Sequence, residues 1–213
     1  MLRIIYSCED YAVAVKPYGM LSEFDAARPN MITSLAEELH LPQEKVYPVH
    51  RLDATTEGLM VYALTKNGAA ELSKCISEGM MQKSYTALIT AADGLPENGE
   101  MRDHLFFDRR AAKSFVVSPD KKGAKEAILF YSLAEKYDFR GNTVTQAKIV
   151  LCTGRTHQIR AQFGARHSPI IGDGKYGSRV NYKKPALFSS GIEFTFRGER
   201  VKYILDEEIK PVL

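Results

Sequence analysis

The segment Pro48-Val-His-Arg-Leu-Asp-Ala-Thr-Thr-Glu-Gly-Leu-Met60 sets an aspartate, Asp53, two positions after Arg51 and shortly before Thr55, Thr56 and Gly58. A strand-like stretch, Leu59–Leu64, follows at once. A carboxylate on a short loop against a sheet edge is well placed to act as nucleophile or base. The same residue types also build turns, because Asp bonds its own backbone and Gly relaxes it. A second segment, Leu151-Cys-Thr-Gly-Arg-Thr-His-Gln-Ile-Arg-Ala-Gln-Phe163, reads as a strand ending at Gly154 and a helix over 155–166. Arg155 and Arg160 would then lie near helix amides that favour anions, and either guanidinium can grip a carboxylate or phosphate through two parallel bonds. A third, Gln82-Lys-Ser-Tyr-Thr-Ala-Leu88, puts Tyr85 in mid-strand, with Lys83 on the same side. A fourth, Ser168-Pro-Ile-Ile-Gly-Asp-Gly-Lys-Tyr-Gly177, is a Gly-rich turn without the spacing of a phosphate-binding loop.

Other chemistries find little support. His50, His157 and His167 have no i, i+4 partner and no cysteine companion, so they read as structural histidines and no metal site is expected. No nucleophilic Ser on its own oxyanion-binding turn accompanies His50 and Asp53, which argues against a hydrolase triad. Asp53 with Glu57 leaves a two-carboxylate glycosidase as one alternative.

The elements that must carry these residues can be read from periodicity. Strands are expected at Arg3–Tyr6, Tyr11–Val15, Leu59–Leu64, Lys83–Thr90, Lys113–Val117, Ala127–Leu133, Thr143–Leu151, Leu187–Ser189, Ile192–Phe196 and Val201–Leu205. Helical spacing marks Ile32–Leu39 and Asn67–Glu78. Strands outnumber helices and short turns join many of them. The expected class is α+β, a mixed and largely antiparallel central sheet flanked by helices.

With 213 residues and 45% hydrophobic side chains, the chain can bury a substantial core. One domain over 1–213 is expected, with two small lobes as the alternative. The net charge of +3 is modest, but its distribution is not. Residues 101–125 hold seven Lys/Arg against three acids, and residues 155–202 hold ten against three. Such clustering suits a phosphate-lined partner. The cysteines Cys8, Cys75 and Cys152 lie far apart without redox or ligand spacing. No apolar run reaches about 18 residues. A cytoplasmic protein that does not span a membrane is expected.

Taken in order, His50-Arg-Leu-Asp-Ala-Thr-Thr-Glu-Gly58, Lys83-Ser-Tyr-Thr-Ala-Leu88, Gly154-Arg-Thr-His-Gln-Ile-Arg160 and Pro169-Ile-Ile-Gly-Asp-Gly-Lys-Tyr-Gly177 resemble the RluA-type pseudouridine synthases. Lys16-Pro-Tyr-Gly19 and Gly123-Ala-Lys-Glu-Ala127 also resemble that family, so the likeness runs from about Ile5 to Leu205. It implies the pseudouridine synthase catalytic fold, isomerisation of uridine in tRNA or rRNA, no cofactor, and a monomer. Asp53 would be the nucleophile, Tyr85 the active-site tyrosine and Arg160 the arginine that pairs with the aspartate. Arg51 would fill the space of the displaced nucleotide, and Arg155, His50, Thr56 and Lys83 would contact substrate. Glu57 stands where the family usually has Ser, and is expected to face solvent or a basic residue. The resemblance starts directly at the catalytic domain, without the N-terminal S4 RNA-binding domain that many members carry. A non-catalytic RNA-binding module on the same fold is the other alternative.

Overall fold

The structure is a computed structural model that describes residues 1–205. Its described residues divide into two compact units, one formed by Met1–Lys83 together with residues 189–205, the other by Ser84–Phe188. In chain order the elements are β1 (Ile4–Ser7), β2 (Tyr11–Lys16), α1 (Met31–Glu38), β3 (Tyr47–Pro48), β4 (Glu57–Ala63) and α2 (Lys66–Ser77). Then come β5 (Gln82–Thr90), β6 (Asn98–Asp108), β7 (Lys113–Val117), β8 (Lys125–Phe139), β9 (Asn142–Leu151) and α3 (Gln158–Ala165). β10 (Leu187–Phe196) and β11 (Glu199–Ile204) complete the described chain.

In the first unit the strand order is β1-β2-β4-β10, with β11 pairing β10 and β3 pairing β4. β2 and β4 run antiparallel, Ala14 opposite Met60 and Lys16 opposite Gly58. Leu59 to Ala63 are wholly buried, so β4 is apolar along its length rather than alternating. The helices follow their local signals. Asn30 caps α1 by accepting the Thr33 N–H, and the helix buries Met31, Ile32, Leu35 and Ala36 on one face. Thr65 caps α2 by accepting the Gly68 N–H, and its hydroxyl donates to Asp10. α2 crosses so close to Asp10 that a Cβ on Gly68 would lie 2.4 Å from that residue's carbonyl oxygen.

In the second unit the order is β5-β9-β8-β6-β7. β6 pairs antiparallel with both β7 and β8, and β8 with β9. One face of this sheet carries Leu105 and Ala127, which pack with Ala161 of α3 and Tyr176. The expected α+β class, with a largely antiparallel sheet, describes the fold.

Several elements depart from the sequence-based expectation, β6, β8, β10 and α3 most clearly. β6 was not expected at all, because its half-exposed residues Glu100, Arg102, Asp103 and His104 dilute the apolar signal of Met101 and Leu105. β8 runs on to Phe139 through Glu135, Lys136 and Asp138, which point to solvent. The two short strands expected at 187–189 and 192–196 are one, β10. The helix expected from Arg155 starts only at Gln158, because His157 takes a left-handed conformation with φ 54°.

Candidate active site

Within the first unit the Asp53 loop is clamped on both sides of the aspartate. The buried Ser22 hydroxyl accepts the Leu52 N–H at 3.0 Å and donates to the Leu52 carbonyl at 2.9 Å. On the other side the Ala54 carbonyl accepts from the Gly19 N–H at 2.8 Å and from Lys16 Nζ at 3.3 Å. The Thr56 N–H closes the turn onto the Asp53 carbonyl at 3.0 Å. The loop then enters β4 at Gly58, whose φ of +116° and neighbour allow no side chain: a Cβ there would sit 2.3 Å from the Ser189 carbonyl oxygen. A backbone fixed at 52, 54 and 58 leaves the residue between them little freedom, the property a reacting carboxylate needs.

Lys16 is the principal residue that the sequence reading did not single out. Its side chain is fully buried, and Nζ donates to the carbonyls of Pro17 at 3.0 Å and Met20 at 2.8 Å besides Ala54. Burial lowers its pKa to about 8, against the opposing pull of the Glu57 and Asp53 carboxylates. The signal was in the sequence, as the Lys of Lys16-Pro-Tyr-Gly19, but nothing there told that it points inward. Glu57 accepts the Tyr18 N–H at 3.1 Å, and its charge acts on Lys16, so it faces a basic residue rather than bulk solvent alone.

The remaining residues of this unit divide by exposure. Arg51 is exposed, with Nη1 3.4 Å from Glu23. His50 turns its ring inward, where Nε2 accepts the Val61 N–H at 3.1 Å. That ring is therefore neutral with its proton on Nδ1, and burial, reinforced by the nearby Lys83 charge, lowers its pKa to about 3. Its geometry matches the structural histidine expected from sequence. Burial also lowers the Lys83 ammonium. Thr56 is 3% exposed. The Thr55 hydroxyl is buried without a hydrogen-bond partner among the described residues.

The second unit builds its own constellation. Tyr85 lies in β5, 5% exposed. Arg160, on the first turn of α3, gives Nε to Asp173 at 2.6 Å and one terminal nitrogen at 2.9 Å, a two-pronged bond with both side chains almost wholly buried. The Tyr176 ring lies between two cations, with the Arg160 guanidinium 5.0 Å and Lys113 Nζ 4.8 Å from its centre. Its hydroxyl accepts the Ser114 N–H at 2.8 Å and hydrogen-bonds His157 Nδ1 at 2.9 Å. Asp173 and Tyr176 come from the segment that read only as a Gly-rich turn. Arg155 is not on the helix: it lies in the turn before α3, its Nε donating to the Glu126 carbonyl at 2.8 Å. Gln158 ties that turn down, accepting from Thr153 and the Arg155 N–H and donating to the Ile128 carbonyl.

Among the described residues no cluster of His, Cys, Asp and Glu is arranged to hold a metal ion.

Comparison with known proteins was made against this geometry. The model of a family described as "RNA pseudouridylate synthase" matches residues 10–165. A Haemophilus influenzae protein named "Ribosomal large subunit pseudouridine synthase D" is 32% identical over 189 residues, which is 87% of this chain but 56% of that longer protein. A Pasteurella multocida "Dual-specificity RNA pseudouridine synthase RluA" is 30% identical, covering 92% of this chain and 87% of its own length. Among solved structures, "Human RNA Pseudouridylate Synthase Domain Containing 1" superposes with a TM-score of 0.82 over 97% of this chain and 84% of that one, at 21% identity, a likeness of fold.

Proposed function

The chain belongs to the RNA pseudouridylate synthase family, and from that premise we propose that it isomerises uridines of structured RNA, tRNA or ribosomal RNA, with Asp53 as nucleophile. The observation that carries this reading is the clamp on the Asp53 loop: Ser22 on Leu52, Gly19 and Lys16 on Ala54. It holds a carboxylate in place beside a buried cation, with no demand for a metal or coenzyme.

The reaction breaks the bond between C1′ and N1, turns the base, and joins C1′ to C5. N1 gains a proton and C5 loses one, so nothing is oxidised and no group is imported. An ionised Asp53 serves each available route: attack at C1′, addition at C6 of the base, or base action after elimination to a glycal. The buried Lys16 ammonium is close enough to Asp53 for the two charges to interact. In this reading Arg160 supplies a second positive charge to the aspartate, from a guanidinium already oriented by Asp173 and Tyr176. The ring of Tyr85 packs against the base, and its oxygen relays the C5 proton to solvent, accepting it as its own hydroxyl proton leaves. The uridine must leave its stack to react, at a cost of a few kcal/mol. The exposed Arg51 is suited to fill the gap it leaves, and contacts from the basic stretches to phosphate offset the cost. The three free cysteines, Cys8, Cys75 and Cys152, fit a reducing cytoplasmic setting, and the protein acts as a monomer.

The test is pseudouridine mapping at single-nucleotide resolution in cellular RNA from strains with and without the protein. One or a few positions should lose the modification in the deletion strain and regain it on complementation. An unchanged map would reject the assignment.

A further inference from the structure

On the sheet face turned away from α3 the second unit carries an exposed ring, Phe115, beside a half-buried one, Phe106. Leu105 and Ala127 face α3, so alternation sends their neighbours Phe106 and, across the ladder, Phe115 to the other face. Phe106 and Phe115 are direct cross-strand partners. Phe115 is 40% exposed. Lys113 Nζ lies 5.4 Å from the centre of the Phe115 ring, and Lys121 Nζ lies 4.7 Å from that of Phe106. The turn 118–124 folds back under the pair, with Gly123 (φ +86°) against the Phe106 ring.

The surroundings are strongly basic. Residues 108–125 carry six Lys/Arg against two acids, Asp108 and Asp120. Both acids are occupied within their own turns: Asp108 accepts the N–H groups of Arg110 and Ala111, and Asp120 accepts the Ser118 hydroxyl. The count alone leaves an excess of positive charge along this stretch.

We propose that the Phe106–Phe115 pair, rimmed by Lys113 and Lys121, is a base-stacking platform for a single-stranded stretch of RNA lying outside the catalytic pocket. This rests on the RNA-directed reading above in taking RNA as the occupant, and charge complementarity with phosphate selects it. Unpaired bases stack on aromatic faces whatever their sequence, while neighbouring cations follow the backbone. The lysines do not obstruct the rings. An exposed cation–ring contact is weaker than a base stacked on the same ring, so a base displaces the ammonium towards its own phosphate. Lys113 is tethered by its bond to the Lys175 carbonyl and marks the inner edge, leaving Lys121 as the arm that swings.

The chain contains no tryptophan, so Phe115→Trp installs a single fluorescent reporter on the platform. Single-stranded oligouridylate should quench the introduced indole saturably. Heparin, which has charge but no bases, should bind without quenching. Phe115→Ala should weaken oligouridylate binding by about 5- to 150-fold at constant salt, with an unchanged salt dependence. Lys121→Gln should instead lower the slope of log affinity against log salt by about 0.7. The proposal is overturned if oligouridylate binds with no change in the indole emission, if heparin quenches equally, or if no binding occurs. Platform and catalysis separate cleanly. Turnover of uridines without quenching removes the platform and leaves the function, whereas quenching without pseudouridine formation does the reverse.

Discussion

Replacing Asp173 by Asn should cost the protein far more than a surface charge would. Asp173 receives two charge-assisted bonds from Arg160, at 2.6 and 2.9 Å, with 1% and 6% of the two side chains exposed. With charge centres roughly 4 Å apart and an effective dielectric of about 20, their attraction is about 4 kcal/mol. Loss of one partner from a buried pair costs about 3–5 kcal/mol in proteins where it has been measured. A domain of this size holds about 5–15 kcal/mol in all, so the variant should be strongly destabilised yet folded at low temperature. In urea the midpoint should fall by about 1–2 M. The double variant Arg160→Met/Asp173→Leu separates stability from chemistry: it should recover most of the lost midpoint, because an apolar pair needs no desolvated charge, but none of the lost turnover. A midpoint shift below about 0.3 M for Asp173→Asn, with turnover intact, would refute the reasoning that this pair orients the arginine.

Two further outcomes follow from titrating groups in the first unit. Lys16 should titrate near pH 8, far below an ordinary lysine, and Glu57→Gln should move it lower by removing a carboxylate that favours its charge. Its folded pKa is depressed, so between about pH 8 and the unfolded value of about 10.5 the unfolded chain binds more protons, and this group adds stability as pH rises through that window. Side-chain NMR of Lys16 in both proteins checks the point, and a midpoint above 10 would contradict it. His50 is held neutral with its pKa lowered to about 3. Its contribution is complete above about pH 6.5 and falls as pH drops, by about 2 kcal/mol at pH 5. Urea unfolding of His50→Gln should show a flatter stability profile between pH 6.5 and 5, and an unchanged slope would place that histidine outside the buried lattice.

Much of this arrangement could be read from sequence where local physics decides the outcome. The apolar faces of α1 and α2 and the strand behind Asp53 all obey short-range rules. What escaped depends on partners distant in the chain. β6 is stabilised by its ladders to β7 and β8 rather than by its own composition, in which charged residues interrupt the apolar ones. The late start of α3 follows from His157, whose left-handed backbone is accompanied by a bond to Tyr176, nineteen residues on. Lys16 looks like any strand-end lysine until the carbonyls of Pro17, Met20 and Ala54 converge on it. Asp173 sat in a segment of glycines that reads as a turn, and only the folded loop brings it to Arg160. The candidate site residues thus stand out by type and order, whereas the partners that hold Arg160 and the Asp53 loop in place do not.

The central claim is that the reaction depends on the Asp53 carboxylate, so the most direct measurement is single-turnover conversion of a mapped RNA target by Asp53→Asn, with RNA affinity measured alongside. The variant should bind RNA within a few-fold of the parent and form no detectable pseudouridine. Conversion at the parent rate would contradict the account.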